Sequence, residues 1–155
     1  MVLETLDNSR FIILRGHGSE GKLYYTEIQD ETKTLTAGEI LSYSETFEQA
    51  EVVIFGSCKS GSSNQSGGNL VNYSFYKGAA CVIGFKYTLN RSLFSAFQYM
   101  FFQEYAQYCA GNSNCSSVTE IANTVYLLIS ENLLDYSVVI DNDNPIVPNN
   151  VYCKE

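Results

Sequence analysis

Two short apolar runs each stop on a small residue followed by a chemically reactive one. The first, F-I-I-L-R-G-H-G, covers Phe11 to Gly18, and the second, V-V-I-F-G-S-C-K-S-G, covers Val52 to Gly61. Branched and aromatic residues in unbroken runs of this length predict strands buried on both faces, as in a parallel sheet. Phe11 to Arg15 and Val52 to Phe55 are therefore read as buried strands, and Ala79 to Phe85, A-A-C-V-I-G-F, as a third. Between the first two, K-L-Y-Y-T-E-I-Q alternates like the arm of a small hairpin that returns near T-K-T-L. Thr36-Ala37-Gly38-Glu39 has the spacing of a capping box and predicts a short helix through Ile40 and Leu41.

After Cys58 a Gly/Ser/Asn-rich loop leads into a predicted helix around Leu70 to Tyr76. Leu93 to Tyr108 predicts a long helix on which Phe94, Phe97, Phe101, Tyr105 and Tyr108 recur at helical spacing, so most of that stripe is expected in the core. Ser117-Val118-Thr119-Glu120 is a second capping-box match, opening a helix on which Ile121, Ala122, Val125, Leu128 and Ile129 share a face. Ser137 to Ile140 predict a fourth strand, and the tail after Asp141, with both prolines, is read as irregular. Strands alternating with helices predict an α/β fold, a mostly parallel sheet with helices on both faces. In such sheets ligands gather at the carboxyl ends of the strands.

Composition narrows the function. A chain of 155 residues with 45% hydrophobic content supports a single domain with its own core, residues 1–155. Twelve tyrosines and nine phenylalanines are read as core and contact rings. The net charge of -8 and nine singly scattered basic residues exclude a phosphate-tracking stripe, so nucleic acid is not expected as a partner. No apolar stretch reaches membrane-spanning length, and the amino terminus lacks the basic and apolar regions of a signal peptide. A cytoplasmic protein without a membrane partner is the expectation. Cys81, in an apolar strand run, reads as a small buried hydrophobe. Cys109 and Cys115 flank a glycine-containing loop and are expected to stay reduced. One histidine and no C-x-x-C pair argue against a metal site, and no cofactor motif is present.

That histidine is His17. If the first two strands are parallel neighbours, its imidazole and the Cys58 thiol reach the same rim of the sheet, where a cysteine nucleophile needs a base or acid. Other cysteine and phosphate chemistries fail on sequence. A phosphatase loop needs an arginine where this chain has Asn64, and no P-loop is present. An α/β-hydrolase places its histidine after the nucleophile, whereas His17 precedes Cys58.

The order strand, His-Gly, strand, small-small-Cys resembles the caspase-like cysteine peptidases, the group that includes caspases, legumain, clostripain, gingipain and bacterial CHAT domains. The stretch G-G-N-L-V-N-Y-S-F-Y-K-G-A-A-C-V-I-G-F is also similar to the helix and next strand of bacterial members, and the likeness extends from Phe11 to about Leu134. It implies a three-layer α/β sandwich and a cysteine endopeptidase that hydrolyses a peptide or protein substrate through an acyl-enzyme, without a cofactor. Cys58 would be the nucleophile, and His17 would assist the thiol and protonate the leaving amine. The backbone N–H groups of Gly18 and Cys58 would form the oxyanion hole.

The chain departs from the family pattern in places. Family members carry two strands before the histidine strand, and only ten residues precede Phe11 here. The resemblance therefore implies the carboxyl-terminal part of the family domain, lacking the first strands. A second copy or a separate polypeptide would then cover the open edge of the first strand. Relatives that cut after Arg or Lys carry an acidic residue where this chain has Gly56, and Lys86 is equally compatible with an acidic P1 side chain. The glycine of S-C-K-S-G also stands one position later than in the caspase signature. The alternative reading is a catalytically inactive caspase-like scaffold or a regulatory or assembly subunit. A redox-sensing thiol at Cys58 beside Lys59 is a third reading, but it leaves the His-Gly motif unexplained.

Overall fold

A computed structural model describes residues 2–26, 32–63, 68–86, 88–134 and 150–153. The chain divides into two compact units, Met1–Leu89 with Asn149–Lys154, and Asn90–Pro148. In the first unit the order is α1 (Val2–Asn8), β1 (Phe11–Arg15), β2 (His17–Ser19), β3 (Lys22–Thr26), β4 (Thr32–Thr36), α2 (Ala37–Ser42), β5 (Val52–Gly56), α3 (Leu70–Tyr76), β6 (Cys81–Gly84) and β7 (Asn150–Cys153). The second unit holds α4 (Arg91–Cys109) and α5 (Val118–Leu134).

The main sheet has the order β1-β5-β6-β7, and a separate small sheet has the order β2-β3-β4. β1, β5 and β6 run parallel, β7 is antiparallel to β6, and the small sheet is antiparallel throughout. The fold is thus mixed α/β with a mostly parallel main sheet. β5 has a strand on each side and is buried at every position, which is why its sequence is apolar without alternation. β1 is spelled just as apolar but is not fully buried, contrary to expectation. Ile12 is buried, Ile13 and Leu14 are half-buried, and Phe11 is 45% exposed. The reason is topological: among the described residues β1 pairs only with β5 and forms an edge of the sheet.

Other elements depart from the sequence expectation at the ends of the chain. α1 has no counterpart in it. Its Leu6 is fully buried, and Val2 and Leu3 pack on the same core. Read as irregular, the tail instead supplies β7. Its prolines, Pro145 and Pro148, precede the strand and leave Val151 and Tyr152 free to pair with Ile83 and Val82. The strand expected at Ser137 to Ile140 lies outside the described residues. Cys81 is buried as expected, at 3% exposure, but it is disulfide-bonded rather than a lone small hydrophobe. Burial on one strand says nothing of the residue across the ladder, which here is Cys153. Cys58, Cys109 and Cys115 are free thiols.

The capping box of α2 forms as spelled. The Glu39 N–H donates to Thr36 Oγ1 at 3.1 Å, and the Thr36 N–H donates to Glu39 Oε2 at 2.7 Å. Replacing Thr36 by alanine removes the acceptor and is expected to cost about 1 kcal/mol, read as a lowered denaturant midpoint at unchanged m-value.

In the second unit, Phe94, Phe97 and Phe101 of the aromatic stripe are buried, and Tyr105 and Tyr108 are half-buried. Phe97 stacks on Phe101 at 5.7 Å and meets Tyr126 of α5 at 6.4 Å. On α5, Ile121, Ala122, Val125 and Ile129 are buried as expected, whereas Leu128 is exposed and Tyr126 takes a buried place instead. At 100° per residue the buried arc centres between Val125 and Ile129, so Leu128 falls off one side of it. The second capping box forms by halves. The Glu120 N–H donates to Ser117 Oγ, but the Glu120 carboxylate accepts from the N–H and hydroxyl of Ser116.

Burial pushes the Tyr126 phenol up to about 12 from its ordinary 10.0. Between those values the unfolded chain gives up a proton that the folded chain keeps, so stability falls as pH rises. Denaturant melts from pH 9 upward should show this loss, and Tyr126→Phe should flatten it. Among the described residues, no helix is long and apolar enough to cross a membrane.

Candidate active site

Register fixes the geometry of the rim. β1 and β5 pair in parallel with Arg15 opposite Gly56, and β5 pairs with β6 with Phe55 opposite Gly84. The carboxyl ends of three parallel strands therefore stand side by side. Two residues beyond Arg15 comes His17, and two beyond Gly56 comes Cys58, so the same rim receives both.

Gly16 turns the chain from the main sheet into the small one. A β-carbon there would lie 2.0 Å from the Tyr24 carbonyl oxygen, so only glycine lets β3 pass this close. His17 opens β2, opposite Tyr24. The residue is exposed, and its imidazole has no hydrogen-bond partner among the described residues. Ser19 and Lys22 flank the Glu20–Gly21 turn, and Gly18 stands opposite Leu23. The Cys58 turn lies against Gly18 on the face from which a side chain would project. A β-carbon at Gly18 would sit 2.4 Å from the Cys58 carbonyl oxygen and 2.7 Å from Ser57 Oγ.

The turn Ser57-Cys58-Lys59-Ser60 is locked to the sheet behind it. The Ser60 N–H donates to the Ser57 carbonyl at 3.4 Å, and Lys59 has a φ of 55°. A positive φ at the third residue makes this a type II turn, with Cys58 at the second position. Ser60 is fully buried; its hydroxyl donates to the carbonyls of Phe55 and Ser57 and accepts the Phe85 N–H at 3.0 Å. The Gly61 N–H donates to the Phe85 carbonyl at 3.0 Å. Ser60 and Gly61 thereby tie the end of β5 to the end of β6, which gives S-C-K-S-G a structural reason beyond its cysteine.

Cys58 is half-buried. Its Sγ accepts the Leu89 N–H at 3.2 Å, and its thiol faces the Leu89 carbonyl at 3.7 Å. Ser57 is buried, and its Oγ has no hydrogen-bond partner among the described residues. On the outer side, Lys59 Nζ donates to Glu20 Oε1 at 2.6 Å, joining the Cys58 turn to the tip of the β2–β3 hairpin. The hydrogen bond from Lys59, aided by a backbone N–H and by the Lys59 charge, holds the Glu20 carboxyl below the usual carboxylate range. Among the described residues no three His, Cys, Asp or Glu side chains cluster as metal ligands would.

Three predicted site residues, His17, Gly18 and Cys58, thus come to one rim, with Gly18 against the cysteine. Sequence reasoning missed Ser57, Ser60, Leu89 and the Glu20–Lys59 pair. For Ser57 and Ser60 a signal was present: hydroxyls at the end of a fully apolar strand must find partners or stay orphaned. For Glu20 and Lys59 there was none. No protein-family model matches the chain, and no curated protein matches its sequence.

Proposed function

We propose that the chain is a cysteine endopeptidase of the caspase-like kind, acting through Cys58 and His17. The observation that carries this reading is the approach of Gly18 to the Cys58 carbonyl and the Ser57 side chain, which sets the His-Gly segment against the cysteine turn. His17 takes the thiol proton, and the Cys58 sulfur attacks the scissile carbonyl carbon. The carbonyl oxygen takes up the electron pair, facing the N–H groups of Gly18 and Cys58. Preorganised backbone donors of this kind are typically the largest catalytic contribution. The C–N bond then breaks as His17 gives its proton to the amine. Water, relieved of a proton by His17, attacks the thioester, releasing the carboxylate and restoring the thiol.

The outer edge of β1 is the natural place for a second copy or a separate polypeptide to add a strand. A free Cys58 thiol suits a cytoplasmic setting, and the disulfide at Cys81 is the feature that favours an oxidising one. Gly56 supplies no acidic side chain to hold a basic P1 residue, and Lys86 is exposed at the same end of the sheet.

A second reading, a catalytically inactive caspase-like scaffold or assembly subunit, is favoured by one observation. The Cys58 thiol is bonded to the Leu89 backbone rather than to an imidazole. A peptide library and a set of peptidyl acyloxymethyl ketones separate the readings. Cleavage with covalent labelling at Cys58 is the expected result, labelling without cleavage favours the scaffold, and absence of both overturns the peptidase.

A further inference from the structure

His17 and Gly18 belong to the β2-β3-β4 sheet, and Cys58 follows a strand of the main sheet, so no ladder of backbone hydrogen bonds runs from one to the other. The arm is anchored at its base by the Arg15–Gly56 register and by the buried Leu23 and Leu35, and what holds its tip to the thiol turn is a side-chain contact. Two independent observations meet at one pair of side chains.

The first is backbone conformation. Lys59 is the residue with positive φ that is not glycine among the described residues, at 55°. The third position of a type II turn favours glycine, because a β-carbon is crowded there. A side chain held at such a position marks a site where the surroundings dictate the conformation, and it invites a functional reading. The second observation is where that side chain goes. Lys59 Nζ reaches Glu20 Oε1 at 2.6 Å, and Glu20 sits on the hairpin tip that follows Gly18 by two residues. The left-handed turn residue beside the candidate nucleophile is therefore also the residue that grips the histidine arm.

We infer that Glu20 and Lys59 are positioning residues whose ion pair clamps the His17 arm onto the Cys58 turn and so sets the reactivity of the thiol. The inference rests on the peptidase reading for its purpose, but its test does not require turnover. Both side chains are roughly half-exposed, at 46% and 43%, so the clamp is weak and open to salt.

The experiment compares Glu20→Gln, Lys59→Met and the charge-reversed Glu20→Lys/Lys59→Glu protein by the rate of Cys58 alkylation with iodoacetamide. Each is first checked for a native thermal midpoint. A clamp requires both single variants to react more slowly, by about two- to fivefold, the range an exposed ion pair supports. Direct electrostatics on the thiol requires opposite changes, since one variant removes a cation and the other an anion. Restoration of the rate by the charge-reversed pair, and a slowing of the native chain alone in 1 M salt, are the further expected results. Opposite shifts, unchanged rates, or a reversed pair slower than either single variant overturn the clamp. If the native chain cleaves no peptide but the alkylation pattern holds, the peptidase reading fails and the clamp stands. If it cleaves peptide while the single variants diverge, the clamp fails and the peptidase reading stands.

Discussion

Cys58→Ala is expected to lower peptide turnover by about 10⁴-fold or more and to abolish covalent capture of a peptidyl acyloxymethyl ketone. On the proposed mechanism, loss of the sulfur removes the acyl-enzyme route altogether, and what survives is the acceleration over water, about 10³- to 10⁴-fold, that binding and backbone donors supply. The fold should tolerate the change. Sγ is half-buried, and its loss frees one backbone N–H, that of Leu89, to bond with water instead. His17→Ala makes the complementary test. It leaves the sulfur and the Gly18 approach in place, so slow capture of the ketone should persist while turnover falls by about 10²- to 10⁴-fold, the usual worth of a general acid–base. Equal rates for native and Cys58→Ala protein would sink the assignment. Equal rates for native and His17→Ala protein would leave a nucleophile without its proton carrier.

Gly18→Ala carries the second large expectation. The new methyl group would lie 2.4 Å from the Cys58 carbonyl oxygen and 2.8 Å from Ser57 Cβ. Neither contact can be relieved by rotating a flexible side-chain end. The β2 strand or the cysteine turn must shift instead, at about 1–3 kcal/mol for overpacking of this kind. A displacement of even about 1 Å at reacting groups costs about 10²-fold in rate, so turnover should drop further than stability. Gly38→Ala is the control, because its β-carbon meets nothing closer than 3.9 Å in an exposed helix position. Steady-state kinetics beside a denaturant melt reads both quantities.

The legible parts of this chain are those where local chemistry decides the outcome. Val52–Gly56 is recognisable because a strand covered on both faces leaves an unbroken apolar record, and Thr36 with Glu39 because a capping box is a contact within one turn. His17 and Cys58 point to a common rim because two apolar runs end alike. What sequence does not disclose depends on a neighbour distant along the chain. Phe11–Arg15 looks as buried as β5, yet the number of strands beside it is a property of the sheet. Cys81 looks like any small buried residue until the strand across from it is known. Glu20 and Lys59 are ordinary surface charges in sequence, and only the meeting of a hairpin tip with a left-handed turn makes them a pair.

The sulfur chemistry of the chain pulls its own handling in two directions. Thiol reagents that keep Cys58 from oxidising also attack the bridge at Cys81, on the strand two places in from β1 in the main sheet. A preparation strong enough in reductant to protect the one releases the other, and with it a covalent tie at β6. Activity measured across a graded series of dithiothreitol concentrations would then rise and afterwards decline. The summit of that curve marks the reducing strength at which the free Cys58 thiol and the staple coexist.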